Sequence, residues 1–230
     1  MKTVLVAERL PDTCESALTA LGFTVRRLPA CPTLPMPVCD HPDLLCARLP
    51  SGALLLTREY YRLASSVLDA LDVPLCLTDE HLGGVYPSDV LFDALPVGDT
   101  LYGKSGAVSA ALCAGYSRFV SVRQGYARCS VALLSETAAV TADRSLSEAL
   151  RRDGLAVLTI RAGHISLPIY DSGFIGGCGG CLANGCYVFF GDLGSHPDGA
   201  AIQAFAEEKK IKAVSLSDGP LSDHGGLVVL

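Results

Sequence analysis

Charge is scarce in this 230-residue chain. Only 18% of its residues are Asp, Glu, Lys or Arg, while half are hydrophobic. A chain this apolar can bury enough surface to fold, which excludes a disordered polymer and a fibrous one. Basic residues are the rarer sign: 18 Lys and Arg against 24 Asp and Glu give a formal net charge of −6. Sequence-independent binding to phosphate backbones needs a basic surface, so no nucleic acid partner is expected. A charged small partner is expected to be a cation. Long apolar runs are missing too. No stretch approaches the roughly 18 residues of a membrane span, so no membrane partner is expected. The first residues, Met1-Lys2-Thr3-Val4-Leu5-Val6-Ala7-Glu8-Arg9, hold too short an apolar run for a secretory signal before charge arrives. A cytoplasmic protein is expected.

Cysteine is plentiful. There are ten, an even number, so a disulfide framework has to be weighed. Most sit inside apolar runs, as in Pro74-Leu75-Cys76-Leu77 and Ala111-Leu112-Cys113-Ala114. There they behave as small buried hydrophobes in a reducing compartment. Cys178-x-x-Cys181, with Cys186 close behind, is the spacing of half a zinc site, but no second pair completes it. Odd spacing within a strand also sends the two side chains to opposite faces. Gly176-Gly177-Cys178-Gly179-Gly180 invites a nucleotide reading, yet a dinucleotide fingerprint needs a helix directly after the glycines, and a strand follows here. No metal and no cofactor are expected.

The order of elements repeats. Phe174–Leu182 and Cys186–Phe190 read as strands about the hairpin signal Asn184-Gly185, before a helix at Ala200–Lys209 and a strand at Ile211–Leu216. The same order, strand-strand-helix-strand, recurs upstream. One copy runs Cys129–Leu134, Ala138–Thr141, helix Ser145–Arg152 with Asp143 as cap and Gly154 as stop, then Leu155–Ile160. Another runs Leu91–Leu95, Thr100–Tyr102, helix Ser105–Ala114, then Arg118–Val122. A third runs Leu44–Leu49, Ala53–Thr57, helix Tyr60–Leu71, then Val73–Leu77. The chain ends supply a fifth: strand Gly226–Leu230, then strand Thr3–Ala7, helix Asp12–Leu21 and strand Phe23–Leu28. Alternating strands and helices also describe a doubly wound sheet. Hairpin turns inside each unit favour antiparallel pairs instead. The expected fold is α/β: a five-fold pseudosymmetric ββαβ ring, closed where the N- and C-terminal strands pair. It forms a single domain over 1–230, with units at about 43–80, 89–123, 128–162, 171–217, and 223–230 joined to 2–28.

This order resembles the pentein, or guanidino-group-modifying enzyme, fold. That fold includes arginine deiminases, dimethylarginine dimethylaminohydrolases, amidinotransferases and a ribosome anti-association factor. The resemblance in unit order covers nearly the whole chain. In motifs the chain is similar to a bacterial family of unknown function with that fold. The resembling stretches are Asp40-His41-Pro42-Asp43, Gln124-Gly125-Tyr126, Gly163-His164-Ile165-Ser166-Leu167-Pro168, Gly173-Phe174-Ile175-Gly176-Gly177, Ser195-His196-Pro197-Asp198-Gly199 and Leu216-Ser217-Asp218-Gly219-Pro220-Leu221.

In such a ring the segments leading into the first strands face one hollow. Here they hold Asp40, His41 and Asp43; Asp89 and Asp93; Gln124 and Cys129; His164 and Asp171; and Asp218, Asp223 and His224. Each Asp alone is explained by capping of its own loop; the repetition across all five favours a polar, acidic pocket. The resemblance implies a Cys thiolate attacking a guanidinium carbon, a His moving the proton and carboxylates gripping the cation. It assigns His164 as the shuttle, Asp171 beside it, and a cationic small molecule as the ligand of His41, Asp43, Gln124, Asp218, Asp223 and His224. The resembling enzymes carry the nucleophile in the last first-strand. Asp223-His224-Gly225-Gly226-Leu227-Val228-Val229-Leu230 contains no Cys, and Val229 stands near that place. Cys129 is the substitute, with a buried structural thiol as the alternative. Two functions follow: an amidinohydrolase- or amidinotransferase-like enzyme, or a catalytically silent module that binds a ligand or protein.

Overall fold

The structure is a computed structural model that describes residues 2–182 and 185–230. Among the described residues, fifteen strands form five separate three-stranded sheets. In the first, β1 (Lys2–Ala7) lies between β2 (Phe23–Leu28), parallel to it, and β15 (Val228–Val229), antiparallel to it. The second joins β3 (Cys46–Arg48), β4 (Leu54–Thr57) and β5 (Leu75–Thr78). The third joins β6 (Leu95–Val97), β7 (Thr100–Gly103) and β8 (Arg118–Ser121). The fourth holds β9 (Val131–Ser135), β10 (Ala138–Thr141) and β11 (Ala156–Thr159), and the fifth β12 (Gly179–Leu182), β13 (Cys186–Phe189) and β14 (Lys212–Ser215). Every sheet has one pattern: the middle strand pairs antiparallel with the first and parallel with the third. The expected strand-strand-helix-strand unit is present five times. The Asn184-Gly185 turn falls at Asn184, outside the described residues.

A parallel pair needs a crossover, and helices supply it. These are α1 (Asp12–Ala20), α3 (Arg58–Leu68), α4 (Ala110–Cys113), α5 (Arg144–Arg152) and α6 (Gly199–Glu208), while α2 (Pro42–Leu45) is an additional turn ahead of β3. Their sequences explain their ends. The Asp143 carboxylate accepts the Leu146 N–H at 2.8 Å and starts α5; Gly154 follows it with φ +91°. Thr57 caps α3 through the Tyr60 N–H at 3.1 Å, and Tyr60, Ala64 and Leu68 bury one helical stripe. The helix expected over Ser105–Ala114 shrinks to α4, capped by Ser109, because Gly106 takes φ +77° and breaks the preceding turn. No helix among the described residues is long and apolar enough to cross a membrane.

The leading strands are shorter than their apolar runs. Pro42 and Asp43 open α2 inside the expected approach to Leu44–Leu49. Leu91–Ala94 turns instead of extending, and Gly176–Cys178 is a 3-10 turn ahead of β12. In each, backbone N–H groups turn back onto carbonyls a few residues earlier: Leu44 and Leu45 onto His41 O, Asp93 onto Val90 O and Cys178 onto Ile175 O.

Candidate functional site

A cavity of about 240 Å³ is lined by residues of all five leading strands, among them Ala47, Leu95, Val131, Gly180 and Val228. Asp43 and Arg128 also line it. Asp43 stands in the first turn of α2, which Pro42 starts from the extended His41. Its Oδ2 accepts the Cys129 Sγ–H at 2.6 Å, while its Oδ1, buried, has no hydrogen-bond partner.

Two more carboxylates surround this pair. Asp93 Oδ1 receives the N–H groups of Arg128 and Cys129 at 2.7 and 3.1 Å, and its Oδ2 is unpartnered. Asp223 receives the N–H of Phe174 at 2.8 Å on Oδ2 and that of Gly225 at 3.0 Å on Oδ1. The His41 ring places Nδ1 3.8 Å from Asp223 Oδ1. Such close packing requires Gly177: a Cβ there would lie 1.9 Å from Asp223 Oδ1. Arg128 is the cation of the cluster, its guanidinium donating to Leu227 O at 2.8 Å.

Burial dominates the electrostatics. It raises the Asp43 carboxyl well above its ordinary range; Asp93 raises it further and Arg128 opposes. Asp93 is raised by burial against the hydrogen bonds it accepts. Asp223 is pushed up to about 6, again by burial first. The Cys129 thiol is raised well above its usual value by burial, then by Asp43, Asp93 and Asp223. Burial also lowers His41 to about 3 and His224 to about 4. At neutral pH Cys129 is therefore a thiol, not a thiolate.

The geometry brings together Cys129, His41, Asp43 and Asp223 of the expected set. His224 is close by: its Nε2 meets Ser222 Oγ at 2.9 Å and its ring stands edge-on to Phe190. Other expected residues lie elsewhere. His164 is exposed, with φ +65°, and its ring meets His196 edge-on at 5.7 Å instead of Cys129. Asp171 and Asp218 are exposed. Exposure keeps these three in water, outside the buried group that acts on Cys129. Gln124 is half-buried beside a second cavity of about 230 Å³, where it accepts the Tyr126 N–H at 3.1 Å and reaches Asp143. Asp93, expected at a strand entry but given no role, and Arg128, not expected there, both belong to the cluster. The available signal was a carboxylate inside the apolar run Val90-Leu91-Phe92-Asp93-Ala94-Leu95. All ten cysteines are free: Cys178 donates to Phe174 O at 3.3 Å, and Cys181 is exposed.

Three solved structures share this architecture. A dimethylarginine dimethylaminohydrolase adduct with 4-chloro-2-hydroxymethylpyridine superposes with a TM-score of 0.54 at 14% identity, covering 94% of this chain and 92% of that one. A cysteine-to-serine variant of the Pseudomonas aeruginosa dimethylarginine dimethylaminohydrolase, complexed with citrulline, gives the same values. SxtG, an amidinotransferase of saxitoxin biosynthesis from Microseira wollei, gives 0.55 at 11% identity, covering 99% of this chain and 94% of that one. These are guanidino-modifying enzymes of the pentein fold, and at such identities what the chain shares with them is that fold. No curated protein matches the chain. A family model matches residues 5–228, and the chain belongs to that family, a family of unknown function (DUF6873).

Proposed function

We propose that the five sheets close into one ring, a single domain over 1–230, and that its central cavity receives a small guanidinium-type cation on Asp43. The pairing of β15 with β1 and the lining of one cavity by all five leading strands support the closure. The observation that carries the ligand is the unpartnered Oδ1 of Asp43, a buried acceptor on a residue that lines the cavity. Left unpaired in an apolar interior, such an acceptor costs about 1–3 kcal/mol. A planar cation donating to it would recover that cost, and its charge would offset the crowding of Asp43, Asp93 and Asp223. Cationic ligands of the fold's enzymes make the guanidino class the first choice.

Binding is the reading that this geometry supports best. Thiolate chemistry is the second reading, favoured by the contact between Cys129 and Asp43. A bound cation would act on the thiol in the direction opposite to the three carboxylates, and so favour the thiolate. The test is thermal unfolding with arginine, methylated guanidines and agmatine, on the parent and on Asp43→Asn. At 100 times its dissociation constant a true ligand stabilises by about 2.7 kcal/mol. For a chain of this size that is a rise in Tm of roughly 5–10 °C. The rise must vanish in Asp43→Asn; an equal rise in both proteins, or none with any guanidine, rejects the reading. Mass spectrometry for an adduct on Cys129 after incubation separates catalysis from binding alone.

A further inference from the structure

Three different donors converge beneath the cavity. His41, Asp43 and Cys129 each place one ligand-type atom within 4.8 Å of the other two. They come from distant parts of the chain: His41 and Asp43 open α2, and Cys129 lies 86 positions beyond Asp43. All three are buried, none more than 3% exposed. The cluster also contains a ligand position that the protein leaves unfilled, the partnerless Oδ1 of fully buried Asp43.

We propose that His41, Asp43 and Cys129 form a three-donor site for a zinc ion. One sulfur, one imidazole nitrogen and one carboxylate oxygen are donors that zinc accepts together. Magnesium and calcium prefer sets made of oxygen alone. Charge agrees: a thiolate and a carboxylate cancel the two positive charges of zinc. A neutral inner group suits a buried place already crowded by Asp93 and Asp223. Bond lengths of roughly 2.0–2.3 Å put neighbouring tetrahedral donors roughly 3.3–3.7 Å apart. Cys129 Sγ and Asp43 Oδ2, now 2.6 Å apart across a shared proton, separate as the ion enters between them. The Cys129 proton and the one that buried Asp43 retains both leave to solvent, and the S–Zn and O–Zn bonds take their places. Asp223, 3.8 Å from His41 Nδ1, stands where a carboxylate orients a ligating imidazole. Three protein donors leave a fourth position for water.

This inference uses the Asp43 of the guanidinium reading but does not rest on it. The two cations claim one carboxylate and are expected to exclude each other. The experiment titrates cobalt(II), as a zinc probe, into the chelator-treated full chain without guanidines. One equivalent is expected to bind, with near-ultraviolet sulfur-to-cobalt charge transfer and the intense visible bands of a tetrahedral site. Cys129→Ser abolishes the charge-transfer band, and Asp43→Asn weakens binding by at least about ten-fold. Cys181→Ser, an exposed thiol outside the cluster, leaves both unchanged. Circular dichroism checks that each variant is folded. Zinc-edge absorption of the loaded parent gives a readout that needs no variant: one sulfur and lighter donors are expected. No binding, a band that survives Cys129→Ser, or a first shell with two or more sulfurs overturns the site. Guanidine stabilisation of the metal-free chain is scored separately, so either reading can fail alone.

Discussion

Asp43 places a carboxyl where charge is least tolerated. Its carboxyl is fully buried and faces Asp93 and Asp223, opposed by Arg128 and by the hydrogen bond from Cys129. Its folded pKa is raised, so the folded state holds a proton that the unfolded chain gives up near pH 4. The stability tied to that proton is present below the unfolded pKa and is lost as pH rises through the folded one. Asp43→Asn removes the titration. The Tm of the variant relative to the parent is therefore expected to be higher at pH 8 than at pH 5, by a few degrees. Unfolding scans at the two pH values check this; a difference that shrinks as pH rises contradicts the burial argument. His41 and His224 act with the opposite sign. Lowered to about 3 and about 4, they are neutral in the folded chain while the unfolded chain binds protons below about 6.5. They support the fold above about pH 6.5 and withdraw that support as pH falls toward 4. Replacing both by Gln is expected to flatten the acid side of the stability curve. Cys129 is subject to the same carboxylates. Alkylation of this thiol at pH 8 is expected to be at least about ten-fold slower than at exposed Cys181, read by peptide mass spectrometry.

Helices and outer strands rest on signals a few residues long, and these can be tested one at a time. Asp143 holds the Leu146 N–H and also the Ser145 hydroxyl, each at 2.8 Å. Asp143→Ala is expected to cost about 1 kcal/mol, a fall in Tm of roughly 2–4 °C, measured by thermal unfolding. The same locality explains what was readable in the sequence. β10, β4 and α5 emerge from periodicity, caps and stop glycines, all written within their own segments. The leading strands do not. Leu44-Leu45-Cys46 and Val90-Leu91-Phe92 are continuous apolar runs, which cannot tell a buried turn from a buried strand. The turn at Val90-Leu91-Phe92 is also held by partners farther along the chain, the Ser109 N–H on Leu91 O and the Ala127 N–H on Asp93 O, which no short window shows. The candidate site was legible to the same degree. His41, Asp43, Cys129 and Asp223 could be named because each precedes a leading strand. His164 and Asp171 were named by that same rule, with the shuttle role added by resemblance, and here both side chains are exposed while Ile165 and Leu167 between them are buried. The signal was the alternation His164-Ile165-Ser166-Leu167, which puts the imidazole on the face opposite the buried Ile165 and Leu167.

The molecule as a whole depends on its last eight residues. The Leu230 N–H donates to Thr3 O at 2.9 Å, and Val228 and Val229 pair with Leu5 and Val4. Gly177 O receives the N–H groups of His224 and Gly226 at 3.0 and 2.9 Å, and the Arg48 guanidinium reaches Val229 O. Three units therefore meet in this short segment. If residues 223–230 and 2–28 are one module, the break in the peptide chain between them is incidental to the fold. Residue 230 lies against Thr3 in an antiparallel pair, so a loop of about 3–5 residues can join the two ends as a hairpin. New ends can open at exposed Val85, between two units. This permutant is expected to unfold in one transition within about 5 °C of the parent Tm. Deleting 227–230 instead removes β15, buried Leu227 and Val228, and the acceptor of the Arg128 guanidinium. Loss of two large buried aliphatic side chains is expected to cost at least about 3 kcal/mol. A permutant that splits into two transitions, or a deletion that unfolds like the parent, shows that the terminal segment decorates four units instead of completing a fifth.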